Sequence, residues 1–411
     1  MEHPAEFAGQ NETVPRRAVT AGAGALYIGA FAVASLALKT TPSDLDYFFW
    51  PATETAVGGH PLLIYSTHLT IVSANDNGPI GLVPLVPVAF VANALHLAGN
   101  LGIRAALVDA VMAMFVLFLA YQAVRLVTRA RGSVARPLAA AACIALAPAV
   151  WIGILDYGHV EQPVELCLVL LGVELAMSKR SAATGVALGA AVLARTVALF
   201  TAMPLLLIPL AAGRLRSALL TAVAGALTVV IGLAPFVIAD HAAVLHSLVG
   251  YRGTLPIVGG SFWVLARGPL WPGVAQHWDA GIAAALAVAL VVMTLVRRPA
   301  TPATVAGLMG MLTIASCCLP LVAKTVFPYY LVEPALLSTV WWLARPGSAG
   351  NWRVAIPLLL NADVFITKAG TTLTTGPAWS VDGVASSVLV ALVVAMVTAD
   401  LFRNSPAPAR A

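Results

Sequence analysis

Apolar runs, each cut by a short basic or polar stretch, recur along the whole 411-residue chain. They fall at about 19–38, 79–98, 105–126, 137–154, 163–177, 182–212, 217–239, 280–296, 303–323, 328–344, 354–367 and 384–401. A membrane-spanning helix needs about 20 apolar residues rising about 1.5 Å each. The pattern therefore predicts an all-α integral membrane protein. The run at 182–212 is long enough to predict two short spans with a turn near 196–204. The run at 79–98 reads differently, because Pro79, Pro84 and Pro87 interrupt it and proline removes a helix hydrogen bond. It is expected to be a broken or interfacial segment. About twelve crossings result, in one polytopic domain covering residues 1–401. Residues 402–411 read as a disordered cytoplasmic tail. No internal repeat is visible, which argues against a transporter built from repeated halves.

Composition agrees: 60% of residues are hydrophobic and only 10% are charged, against roughly 25% charged in a soluble domain. The formal net charge of +5 could suggest nucleic acid, but its placement does not. Arg16, Arg17, Arg125, Arg129, Arg131, Arg136, Lys179, Arg180, Arg214, Arg216, Arg297, Arg298, Arg345, Arg353, Arg403 and Arg410 make up sixteen of the 23 basic residues. They fall between the apolar runs, so that one side of a membrane receives all of them. This is a topology signal. It puts both termini in the cytoplasm and sends residues 39–78, 155–162, 240–279, 324–330 and 368–383 to the outer face.

Cys143, Cys167, Cys317 and Cys318 lie inside apolar runs with no CxxC or Cys/His spacing. Neither a disulfide framework nor a zinc site is indicated, and small core residues are the simplest reading. Residues 1–15 do not open like a cleaved signal peptide. There is no GxxxxGK[ST] loop for ATP and no convincing Gly-x-Ser motif for a rhomboid-type protease. Asp44-Leu45-Asp46 matches a DxD metal motif in letters only. No cofactor is implied, although a divalent ion between those carboxylates is conceivable.

Polar residues gathered at a membrane face are functional candidates. Asp44 and Asp46 stand beside Tyr47, Phe48, Phe49 and Trp50 in the first outer segment, a composition suited to the interface. The turn Leu155-Asp156-Tyr157-Gly158-His159-Val160-Glu161-Gln162-Pro163 sets three ionisable groups within six residues. Arg195 sits in an apolar run, where a guanidinium is costly unless it pairs or snorkels. Asp109 and Glu174 fall within spans and read as polar contacts between helices.

The order of these features resembles the GT-C superfamily of membrane glycosyltransferases. Asp44-Leu45-Asp46-Tyr47-Phe48-Phe49-Trp50-Pro51-Ala52 resembles the first loop of the bacterial polyprenyl-phosphomannose branch, with Asp44 at the position of its acid. Leu155-Asp156-Tyr157-Gly158-His159 is similar to the Asp-His-Gly-His turn of dolichyl-phosphate-glucose enzymes, with Pro163 where Asn is usual. The helix from Gly185 through Arg195 to Pro204, the segment Gly260-Ser261-Phe262-Trp263 with Arg267, and Phe327-Pro328-Tyr329-Tyr330 with Glu333-Pro334 echo later family segments. The likeness spans nearly the whole chain.

The resemblance implies a GT-C-like bundle and an inverting transfer of a hexose, mannose above all, from a polyprenyl-phosphate sugar to a lipid-linked or glycan acceptor at the outer face. Asp44 is the expected catalytic base, with Asp46 beside it as a substitute. Asp156, His159 and Glu161 are expected to orient the acceptor or support the base. Arg195, Arg252, Arg267 and Lys324 are candidates to meet the leaving phosphate, and Tyr329 and Tyr330 to contact substrate. Two other classes compete: a polytopic lipid or solute transporter, and a non-catalytic assembly protein that would tolerate loss of Asp44.

Overall fold

The computed structural model describes residues 13–39, 41–66, 75–132, 137–265, 271–345, 351–372 and 377–404. The chain opens with α1 (Thr13–Leu38), a π-helical turn (Leu45–Phe49) and α2 (Trp50–Val57). A short 3-10 turn (Pro79–Leu82) leads into α3 (Leu85–Ala94) and then the long α4 (Leu101–Arg131). Next come α5 (Pro137–Ala145), α6 (Pro148–Trp151), α7 (Glu161–Met177), α8 (Ser181–Ala194), α9 (Ala198–Ala211) and α10 (Leu215–Leu245). The second half holds α11 (Tyr251–Thr254), α12 (Trp271–Arg297), α13 (Val305–Val322), α14 (Val332–Ala344), α15 (Ala355–Thr372) and α16 (Pro377–Asn404). The described residues form strand structure in one place, where β1 (Val258–Gly259) and β2 (Thr325–Val326) pair in parallel.

Among the described residues, six helices are long and apolar enough to cross a membrane, or seven if α5 and the bent continuation to Asp156 count as one span. This makes the protein a helical membrane protein, but it corrects the expected count of about twelve. Helices α8 and α9 have 14 residues each and α14 has 13. At about 1.5 Å per residue, 14 residues reach only about 21 Å, short of a hydrocarbon layer of about 30 Å. Helix α7 has 17 residues and carries Glu161, Glu165 and Glu174.

Two breaks follow from local chemistry. The segment 79–94 is a short apolar helix rather than a span, as its prolines predict. The expected turn in 182–212 lies at residues 195–197, between α8 and α9, while Pro204 sits inside α9. Beyond the far boundary of the domain, α16 continues to Asn404; the rest of the expected tail lies outside the described residues.

Helix α13 is the axis of the bundle, buried at every residue from Val305 to Pro320. Helix α10 is its opposite: none of its apolar window is buried, and Val230, Ile231 and Ile238 stand bare. An apolar helix with an uncovered side requires an apolar solvent. Its other side meets α8 backbone to backbone. A methyl group added at Gly189 would lie 2.5 Å from the Gly225 carbonyl, the close approach that small-xxx-small spacing permits in membranes.

Charge is sorted between the two ends of the bundle. At one end Arg125 pairs with Glu174, Arg129 donates to the Met177 carbonyl (3.1 Å), and Arg345 and Arg353 converge on Asp400. At the other, Asp44 N–H donates to the Tyr157 carbonyl (3.0 Å), Phe48 meets Tyr251 edge-on, and Thr325 donates to the Pro256 carbonyl (2.5 Å). The acidic, aromatic segments thus assemble into one surface.

Candidate functional site

At the acidic end, three segments distant in sequence meet. The residue preceding the π-helical turn supplies Asp44, the turn before α7 supplies His159, and α7 begins with Glu161. Gly158 makes the meeting possible. Its φ of +72° favours glycine, and a methyl group there would lie 2.7 Å from both Leu45 Cβ and Ser43 Oγ. The close approach lets the first segment lie directly on the second.

His159 is buried between two carboxylates. Its Nε2–H donates to Asp44 Oδ2 (2.9 Å) and its Nδ1–H to Glu161 Oε1 (2.5 Å). Neither partner can donate in its ionised form, so both ring nitrogens carry protons. Burial alone would depress the imidazole pKa; the charges of Glu161 and Asp44 and their hydrogen bonds outweigh it and lift it to about 9. The ring stacks on Tyr329 at 3.5 Å between centroids. Tyr329 is itself held by Gln162, which donates to its backbone carbonyl (2.7 Å). His159 is therefore fixed in position and charge.

The second carboxylate oxygen of Asp44 has no partner among the described residues, and the Asp44 side chain keeps 30% of its surface exposed. A carboxylate held at one oxygen and open at the other can receive a proton.

The chain of contacts continues inward. Glu161 Oε1 also lies 3.3 Å from Arg195 Nε, and Arg195 Nη1 pairs with Glu333 and lies 3.7 Å from Glu165. Thr201 donates to the other Glu333 oxygen (2.7 Å), and the guanidinium faces the Tyr330 ring at 5.8 Å. Asp44 and Arg195 thus belong to one continuous network. Arg195 is 4% exposed and surrounded by three carboxylates, which makes it the counter-ion of the cluster rather than a cation at the surface.

The other sequence candidates lie elsewhere. Asp46 accepts from the Ser43 N–H (2.8 Å) and pairs with Arg104, whose guanidinium lies over Trp50; both contacts anchor the loop. Asp156 pairs with Lys368 at the surface. Lys324 is buried, with its Nζ donating to the Gln276 carbonyl (3.3 Å). The backbone of Arg252 lies in α11, but its side chain and all of Arg267 lie outside the described residues. No group of three His, Cys, Asp or Glu side chains among the described residues could hold a metal ion. Asp44 and Asp46, the conceivable ion pair of ligands, are engaged by different partners.

Four residues join the site to which the sequence assigned no role there. Glu165 and Glu333 complete the Arg195 cluster. Asp76 faces His159, Glu161 and Asp44 electrostatically; burial, aided by Glu161 and Asp44 and opposed by His159, raises its pKa to about 7. Lys39, just beyond α1, forms no ion pair among the described residues. Burial lowers its pKa, opposed by the charges of Asp46, Asp109, Asp156 and Asp44. Glu165 was traceable, since it lies one helical turn from Glu161. Asp76, between Asn75 and Asn77, carries no such signal.

No protein-family model matches the chain, and no curated protein matches it.

Proposed function

We propose that the protein is an inverting membrane glycosyltransferase that takes a hexose, with mannose the first choice, from a polyprenyl-phosphate donor. The observation that carries this reading is Asp44: a carboxylate fixed at one oxygen by protonated His159, open at the other, on the basic-poor end of an apolar bundle. In the proposed step the open oxygen removes the proton from an acceptor hydroxyl. The acceptor oxygen attacks the anomeric carbon, the bond to the lipid phosphate breaks, and the phosphate leaves with the electron pair. Among the described residues Lys39, which feels the charge of Asp44, is the candidate to meet that developing charge, beside Arg252 and Arg267, since Arg195 is already neutralised. The basic end lies in the cytoplasm by the positive-inside rule, which turns Asp44 outward.

A transporter would carry its ionisable groups midway along facing helices. Here Glu161 opens α7, Arg195 closes α8 and Glu333 lies in the first turn of α14. That placement supports the transferase. The test is an assay of the purified full chain with polyprenyl-phosphate mannose or polyprenyl-phosphate glucose and a membrane lipid extract as the source of acceptor, following release of polyprenyl phosphate. Turnover by the wild type and its loss in Asp44→Asn is the expected result. Equal turnover by both proteins would remove Asp44 from the mechanism.

A further inference from the structure

The far end of the bundle carries a cavity that the proposed reaction does not use. It is about 460 Å³ in volume and is lined by Trp352, Arg353, Met396, Ala399, Asp400 and Arg403. Its floor is preset. Arg353 donates from Nε (2.7 Å) and Nη2 (2.5 Å) to the same Asp400 oxygen, and Arg345 Nη2 lies 2.7 Å from the other. Asp400 is buried, so the two guanidinium groups are held by a charge that water does not screen.

Asp400 is shared by Arg345 and Arg353, and Arg403 lines the same cavity, so the cluster carries an excess of two positive charges. The Arg353 Nη1 group and the Arg403 guanidinium have no partner among the described residues. The Arg353 guanidinium lies 5.3 Å from the centroid of the Trp352 ring, and that indole is 48% exposed.

The location decides what an occupant must be. The spanning stretch Val381–Arg403 ends at this cavity, so its mouth lies where acyl chains give way to headgroups. Met396 and Ala399 supply an apolar wall toward the bilayer, Trp352 an interfacial ring, and Arg353 and Arg403 fixed cations. We propose that this cavity binds the phosphate headgroup of an anionic phospholipid from the leaflet at the basic end of the protein. Arg403 and the free Nη1 of Arg353 bind the phosphate oxygens, which guanidinium groups suit by their planar donor array. Trp352 lies against the glycerol and upper acyl region. Basic pockets between helices near the membrane surface favour such headgroups over neutral ones.

The test uses the full chain in nanodiscs of phosphatidylcholine containing phosphatidylglycerol, with retained lipid counted by native mass spectrometry. Wild type is expected to retain phosphatidylglycerol selectively. Arg403→Gln should weaken that retention about fivefold, the effect of about one unit of headgroup attraction per basic residue, and Trp352→Ala should weaken it further. Arg216→Gln, which removes a basic residue of the same end outside the cavity, should leave it unchanged. Equal loss in Arg216→Gln would mean diffuse surface attraction and overturn the proposal. So would equal retention of both lipids by wild type, or full competition by inorganic phosphate at the concentration of the lipid.

Discussion

The imidazole of His159 and the carboxylate of Asp44 lie 2.9 Å apart, although 115 positions separate them in the chain. The contact ties the first polar segment to the turn before α7, and through Glu161 it reaches Arg195 and Glu333 inside the bundle. Placing the proposed proton acceptor and its support on different segments makes the site sensitive to packing as well as to chemistry.

The two roles separate in kinetics. Asp44→Asn keeps the size of the side chain but removes the proton acceptor, and should lower kcat by about 10²–10⁴-fold, the usual worth of a positioned base. His159→Gln can still donate one hydrogen bond to Asp44 but loses the charge. It should lower kcat less than Asp44→Asn while leaving KM for the donor nearly unchanged. A His159→Gln variant with unaltered kcat would show that Asp44 needs no fixing.

Stability should fall as pH rises through the neutral range. The folded pKa of His159, about 9, exceeds the ordinary 6.5, so folding takes up a proton between those values. Its contribution is whole below pH 6.5 and is lost as the pH climbs through about 9. Asp76 is raised from 3.8 to about 7, so its contribution is lost between those values in the same direction. The Tm in detergent should therefore decline from pH 5 to pH 9. Asp76→Asn should remove the part of the decline below pH 7, and His159→Gln the part above it. A Tm that stays level across this range would contradict both assignments.

The close approach at Gly158 is the most economical place to separate packing from charge. Gly158→Ala introduces no polar change, but it strains the backbone at φ +72° and pushes against Leu45 and Ser43. A cost of about 1–3 kcal/mol is expected, together with loss of turnover, because the displaced segment carries Asp44. Thermal unfolding and the transfer assay check the two effects on one sample. Wild-type values in both would mean that the segments do not touch there.

Much of this architecture was legible in the chain, for identifiable reasons. Apolar runs and basic clusters report directly on solvent, so the membrane class and the charge sorting could be read from residues such as Arg125, Arg345 and Arg353. Pro79, Pro84 and Pro87 marked a segment that does not cross. Span length was less accessible: 182–212 is continuous in composition, and only the extended backbone of Arg195 divides it. For the site, Asp44, His159, Glu161, Arg195, Tyr329 and Tyr330 were singled out by type and meet in space. Asp46, Asp156 and Lys324 resemble them in composition but face other partners, because residue type does not encode side-chain direction. Glu165 escaped notice as a single acid in an apolar helix, and Glu333 entered only as part of a Glu-Pro motif with no role, because the meaning of both depends on a guanidinium from a third helix.

That guanidinium supports the last prediction. Arg195 balances Glu161, Glu165 and Glu333, which are all buried. Among the described residues neither Glu165 oxygen accepts a well-aligned hydrogen bond, so a proton or the Arg195 charge must offset their burial. Arg195→Met keeps much of the stem but leaves Glu165 and Glu333 without their fixed cation and Glu161 with His159 alone, and uncompensated buried charge costs about 3–5 kcal/mol. The variant should accumulate poorly and melt far below wild type. Adding Glu333→Met removes the carboxylate with the closest contact, and the double variant should recover part of the lost stability, a non-additivity that neighbours in one network display. Glu165→Gln, by contrast, should be tolerated, since its amide can donate where the carboxylate cannot. If Arg195→Met melts like wild type, or if the second substitution only adds its own loss, the three acids do not depend on Arg195 and the network linking it to Asp44 does not act as one unit.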